Sequence, residues 1–314
     1  MKTLLFQSIL ISSALVSLLT GCYTRKNQAS GLGVNSILVS NVIGGKYVQE
    51  HSLIAASTVG IFDQKNNFTC TATLLTETIA ITAAHCIESD PADIQIIFAL
   101  ELSAALGTNE SDKKNTTIKS ATAVIVHPSW TGESSKPSDW HDLALVQFSG
   151  SLPPGYKPAL WLTDKNELVP GAKVTVAGFG ATGTKITQIN EKKFPNLEKA
   201  IARGDIICDE SFQNEKKHCY KIDFLGGDDL KTTDAMIESQ DLSEIRLDES
   251  HGHGTCVGDS GGPAFIEKNG IYYYFGITSR GSDACDGYGI YTNAVFYKNW
   301  IDKNINLLEA SVKK

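Results

Sequence analysis

The sequence predicts an all-β fold made of two barrels and closed by a C-terminal helix. Three observations predict it. From Val42 onward, short apolar runs alternate with turn residues, the spacing of sandwich or barrel strands. The 273 residues after Asn41 suffice for two such units, each with its own core. Near the end, Val295, Trp300, Ile301, Ile305 and Leu308 nearly repeat one helical face.

The predicted strands follow in chain order. The apolar runs are Leu74-Leu75, Ile79-Ala80-Ile81, Ile94 to Leu100, Ala121 to Val126 and Leu143 to Phe148. Pro153-Pro154-Gly155 reads as a crossing, which sets a first barrel at about 42–155 and a second at about 156–314. The second holds the runs Val174-Thr175-Val176, Ile271 to Ile277 and Gly289-Ile290-Tyr291. Residues 182–250 break the pattern. Between 228 and 249 stand eight acids and two bases, and the whole region is expected to be a long surface excursion. Its acids match no calcium-loop spacing.

The first 22 residues read as an export signal. Lys2 precedes an apolar stretch from Leu4 to Leu19 that is too short for a good transmembrane helix. It ends in Leu19-Thr20-Gly21-Cys22, which resembles a bacterial lipoprotein signal with Cys22 as the lipidated residue. The expected location is therefore the bacterial cell envelope. Residues 23–41, small and polar, read as a linker or pro-segment ahead of a domain at 42–314. Export implies an oxidising compartment, where Cys70, Cys86, Cys208, Cys219, Cys256 and Cys285 can pair. Their number alone leaves the pairing open. The body after Asn41 has 25 bases against 35 acids, which gives no electrostatic reason to bind nucleic acid. No cofactor or metal is expected. His251 and His253 read as loop histidines.

Three motifs carry chemistry. Gly258-Asp259-Ser260-Gly261-Gly262-Pro263 surrounds a serine with glycines, which let backbone N–H groups converge on one point. Thr82-Ala83-Ala84-His85-Cys86 places a histidine after small residues. Asp142-Leu143-Ala144-Leu145-Val146 places an aspartate at the mouth of an apolar strand. Each alone is weak evidence. Their order, His, Asp, Ser, is that of a serine nucleophile with its base and its orienting acid.

Together with Val42-Ile43-Gly44-Gly45, Val176 to Gly180 and Ile290-Tyr291-Thr292, these motifs resemble the chymotrypsin–trypsin family over Val42 to about Ile305. The resemblance implies two packed six-stranded antiparallel barrels and a serine endopeptidase. It implies a catalytic triad of His85, Asp142 and Ser260, with the N–H groups of Gly258 and Ser260 as the oxyanion hole. It implies disulfides Cys70–Cys86 and Cys256–Cys285, leaving Cys208 and Cys219 to pair locally. It implies a precursor cut after Asn41, by another protease or by itself, so that the new Val42 amine pairs with buried Asp259. By the same resemblance Gly254 is the floor of the specificity pocket, with Gly281 and Gly289 lining its walls. An open, uncharged pocket of this kind suits apolar or aromatic side chains. Arg280 stands where the family has an aromatic residue, so the channel beside the pocket is expected to differ. The partners expected are polypeptide substrates, the activator, and a membrane through the lipid on Cys22; the protein is expected to be a monomer. The alternative is a catalytically silent binding protein on the same fold.

Overall fold

The computed structural model describes residues 36–39, 45–107, 116–132, 138–190, 194, 196–202, 206–210 and 217–312. The signal segment with Cys22, and the bond between Asn41 and Val42, lie outside the described residues.

Six strands close the first barrel. In spatial order they are Thr58–Asp63, Phe68–Leu74, Ile79–Thr82, Ala144–Phe148, Thr117–Val126 and Ile94–Phe98, each antiparallel to the next and the last back on the first. β-Branched and large apolar residues dominate these strands because they pack well on a pleated surface. Val59, Ile61, Leu74, Ile79, Ile81, Ile96 and Leu145 are wholly buried, and Phe98 meets Phe148 edge to face at 5.6 Å. Each such side chain contributes about 1.5–3 kcal/mol by leaving water.

The second barrel closes through Lys173–Gly178, Pro263–Lys268, Ile271–Gly281, Tyr288–Asn293, Glu244–Asp248 and Lys231–Gln240, which returns to Lys173–Gly178. Asn269 and Gly270 alone join two of these strands. Both have positive φ (53° and 79°), the backbone that matches strand twist in a two-residue hairpin. The core here is Val174, Val176, Ile237, Ile245, Leu247, Phe275 and Tyr291. Two short strands flank the barrel: Lys46–Tyr47 pairs with Lys231–Thr232, and Leu160–Trp161 runs parallel to Tyr273–Tyr274. The architecture is thus the two six-stranded antiparallel barrels expected. The closing helix is Lys298–Val312, with Val295 lying before it. Ile301 and Leu308 are its buried face, and the Gln147 side chain donates to the Leu308 carbonyl, which ties the helix to the first barrel.

The region 182–250 is not one surface excursion. Residues 231–240 and 244–248 are barrel strands. Thr233, Ala235 and Ile237 point inward, while Asp234, Met236 and Glu238 face water. The acids sit on the solvated side of a period-two pattern. The rest builds a separate sheet, ordered Ser36–Val39, Gly183–Ile189, Lys217–Leu225, Ile206–Glu210. Cys208 faces Cys219 across its last pair and is bonded to it. The other disulfides are Cys70–Cys86 and Cys256–Cys285, with Cα separations of 6.1 and 5.2 Å.

Candidate active site

Strand register brings the first two site residues together. Thr82 pairs with Ala144 on the adjacent antiparallel strand. Three residues onward from Thr82 is His85, and two residues back from Ala144 is Asp142, so both emerge at the same barrel end. A turn of 3-10 helix, Ala84–Cys86, carries His85, and the bond to Cys70 pins that turn to the neighbouring strand. Asp142 is almost wholly buried. Its Oδ1 accepts the His85 backbone N–H at 3.0 Å, and its Oδ2 lies 2.8 Å from His85 Nδ1. The Ser279 hydroxyl donates to the same Oδ2 at 2.6 Å, and the Thr292 hydroxyl donates to the Asp142 carbonyl at 3.0 Å.

These contacts set the charges. Burial pushes the Asp142 carboxyl up, but the His85 charge, the hydrogen bonds of His85 and the Ser279 hydroxyl outweigh it, and the net shift is downward. Burial pulls the imidazole of His85 down, but the charge and hydrogen bond of Asp142, with Glu88, outweigh that and raise it. An ionised carboxylate at Nδ1 holds a proton there and leaves Nε2 as the basic nitrogen.

Ser260 lies on the loop before Pro263–Lys268. The Ser260 carbonyl accepts the Thr71 N–H at 2.8 Å, and the Thr71 hydroxyl donates to the Gly258 carbonyl at 2.9 Å, so the first barrel holds both ends of the turn. Gly258 has φ 99°, and a Cβ there would meet the Gly180 Cα at 2.9 Å. Gly261 has φ 81°, and a Cβ there would strike the Thr82 side chain and the Thr71 carbonyl. Both positions need glycine. Among the described residues, the N–H groups of Gly258 and Ser260 donate to no protein acceptor. They remain available to an anionic oxygen.

Asp259 points the other way. Its Oδ1 accepts the Gly180 N–H and its Oδ2 the Cys256 N–H, each at 2.8 Å. Burial raises its carboxyl to about 6 against these two donors and the distant charge of Lys231. A cavity lined by Gly45, Gly178, Gly180, Lys231 and Thr233 opens on it. Val42, its expected partner, is outside the described residues.

The glycines expected to form the pocket also come together. Gly281 pairs with Gly289 in the sheet, and the Cys256–Cys285 bond lies alongside. An ionisable group lies against two of these glycines, however. A Cβ on Gly254 would lie 2.6 Å from Glu249 Oε2, and a Cβ on Gly289 would lie 2.7 Å from Glu249 Cδ. The Glu249 carboxyl fills the space that side chains at both positions would take. Its Oε1 accepts from the Tyr291 hydroxyl at 2.8 Å and the Thr255 hydroxyl at 3.2 Å; its Oε2 accepts from the Thr255 N–H at 3.1 Å. Burial drives this carboxyl up to about 7, against the Tyr291 and Thr255 hydrogen bonds and with help from the Asp259 charge. Sequence reading passed over Glu249 as one acid among eight. The signal that could have found it is the pair of glycines, which leave a space for another residue. Arg280 pairs with both Glu244 oxygens at 2.7 and 2.9 Å and lies over the Trp140 ring at 4.2 Å.

The chain is 28% identical to Trypsin-1 of Astacus astacus over 244 residues, 75% of this chain and 87% of that protein. It is 25% identical to CLIP domain-containing serine protease B4 of Anopheles gambiae over 317 residues, 91% and 80% of the two chains. It is 26% identical to Melanization protease 1 of Drosophila melanogaster over 259 residues, 75% of this chain but only 58% of that protein's length. The family model Trypsin matches residues 42–301, and the chain belongs to the trypsin family.

Proposed function

We propose that the chain is the precursor of an exported serine endopeptidase, with His85, Asp142 and Ser260 as its catalytic residues. The observation that carries this reading is the buried, ionised Asp142 locked to His85 Nδ1, with donors from Ser279 and the His85 backbone. Ser260 Oγ attacks the substrate carbonyl carbon while His85 Nε2 takes its proton. The N–H groups of Gly258 and Ser260 receive the oxygen of the tetrahedral intermediate. His85 then gives its proton to the leaving amine, and water releases the acyl group by the same steps.

Activation follows from Asp259. A buried carboxylate needs a cation, and cleavage after Asn41 would supply the Val42 amine. The preceding segment Ser36–Val39 is held as an edge strand on Gly183–Ile189, with Val39 opposite Thr184. This leaves the cut bond two residues beyond a fixed strand. Residues 1–22 are read as the lipoprotein signal and 23–41 as the pro-segment. A lipid on Cys22 would hold the precursor at the envelope until activation releases residues 42–314, as a monomer, toward polypeptide substrates. The apolar or aromatic preference expected of Gly254, Gly281 and Gly289 is set aside in this proposal, because the Glu249 carboxyl lies against Gly254 and Gly289.

The test is hydrolysis of a peptide library by protein beginning at Val42, beside a Ser260→Ala control. Cleavage by the first and not the second, with a serine-directed phosphonate attached at Ser260, is the expected result. An intact, unlabelled Ser260 in folded protein would mean a silent binding protein instead.

A further inference from the structure

The Glu249 carboxyl, which lies against Gly254 and Gly289, has no role in the triad. Glu249 is 1% exposed, and every group donating to it is neutral: the Tyr291 hydroxyl, the Thr255 hydroxyl and the Thr255 N–H. The charged group that bears on it is Asp259, an acid, which adds repulsion. Among the described residues no cation pairs with it. A carboxylate in this position is costly unless a positive group arrives. The surrounding residues hold it in place all the same. Thr255 grips both oxygens, the Tyr291 hydroxyl also touches Thr255 at 3.0 Å, and neither 254 nor 289 carries a side chain to cover the carboxyl.

We propose that Glu249 is the specificity-determining residue of this enzyme, and that its carboxylate selects a lysine or arginine side chain on the acyl side of the cleaved bond. This rests on the endopeptidase reading above. The long stem of either residue crosses an apolar slot walled by glycine backbone, and its charged head supplies the cation that Glu249 lacks. The acid thus comes from the end of the strand Glu244–Asp248, not from the floor position 254. The same logic gives a pH signature. Burial holds the carboxyl near 7, with Tyr291 and Asp259 the titratable groups facing it. The anionic, cation-binding form grows as pH rises through that value. Selection for a basic side chain therefore strengthens from pH 6 to 8 and weakens on the acid side.

The first arm uses paired peptide substrates that differ only in lysine against norleucine at the cleaved residue. The ratio of their kcat/KM values cancels the titration of His85. We expect a ratio of about 100 or more at pH 8, falling below pH 7, because a site built for a polar group rejects the analogue lacking it. In Glu249→Gln the ratio should fall toward one. A ratio near or below one in the unsubstituted enzyme, or an unchanged ratio in Glu249→Gln, overturns the proposal. The second arm needs neither catalysis nor a Glu249 variant. Benzamidine and neutral benzamide are titrated calorimetrically into Ser260→Ala protein beginning at Val42. Benzamidine binding that weakens below pH 7, with no binding of benzamide, supports the acidic slot even if the endopeptidase reading fails. Equal binding of the two compounds at pH 8 removes Glu249 from any selecting role.

Discussion

Two buried acids of each barrel are in opposite electrostatic states. In the first barrel, Asp63 and Asp142 are both held below the usual carboxylate range despite burial. Asp63 does so through Asn66, Ser89 and Lys65, and Asp142 through His85 and Ser279. In the second, Asp259 and Glu249 are both driven up by burial, to about 6 and about 7. The first barrel's acids are ionised with the partners the fold already provides. The second barrel's pair have only neutral donors in direct contact. The first pair thus offers a finished base, while Asp259 and Glu249 await cations from outside. The Val42 amine would serve Asp259, and the substrate side chain would serve Glu249.

The largest expected effect breaks the finished side of this contrast. Asp142→Asn keeps the shape but cannot hold the Nδ1 proton in the same way, and the His85 tautomer is lost. kcat/KM should fall about 10⁴-fold. Steady-state kinetics on folded protein checks it, and a loss under tenfold would mean that Asp142 does not orient the base. Next comes Asp259→Asn in protein beginning at Val42. With no charge to hold the amine, the Gly258 N–H should lose its aim, at a cost of about 10²–10³ in kcat. Chemical acetylation of the Val42 amine should lower activity to the same level. Full activity in the variant would sink the activation pairing.

The same contrast explains what the sequence made legible. Ile79-Ala80-Ile81 and Leu143 to Phe148 are continuous apolar runs, and they became the strands Ile79–Thr82 and Ala144–Phe148 that carry the site. A strand buried on both faces shows itself in the chain. The strands Lys231–Gln240 and Glu244–Asp248 show one face to water, so their acids hid the alternation of Thr233, Ala235 and Ile237. Among site residues, His85, Asp142 and Ser260 sit in local motifs. Ser279 and Glu249 do not. Ser279 reaches Asp142 across 137 residues, and Glu249 meets Tyr291 across 42. Such contacts exist only once barrel closure has set the register.

The smallest effect sharpens the comparison by stability alone. The Glu249 carboxyl has an ordinary value of 4.5 and a folded value of about 7. Between those values the folded state binds more protons than the unfolded chain, so stability falls as pH rises through the interval. The charged form above pH 7 then costs about 3 kcal/mol relative to pH 4. Asp259, raised from 3.8 to about 6, acts in the same direction over a lower window. Asp142 acts in the opposite sense: its folded value is depressed, so its contribution is present above 3.8 and is lost on further acidification. The Ser260→Ala precursor should therefore unfold more easily at pH 8 than at pH 5, and Glu249→Gln should flatten that slope. Denaturant titrations at a series of pH values measure both. If the cations arrive as argued, protein beginning at Val42 with benzamidine bound should regain stability at pH 8 and gain little at pH 5. The second barrel would then match the first only when its two charges are met.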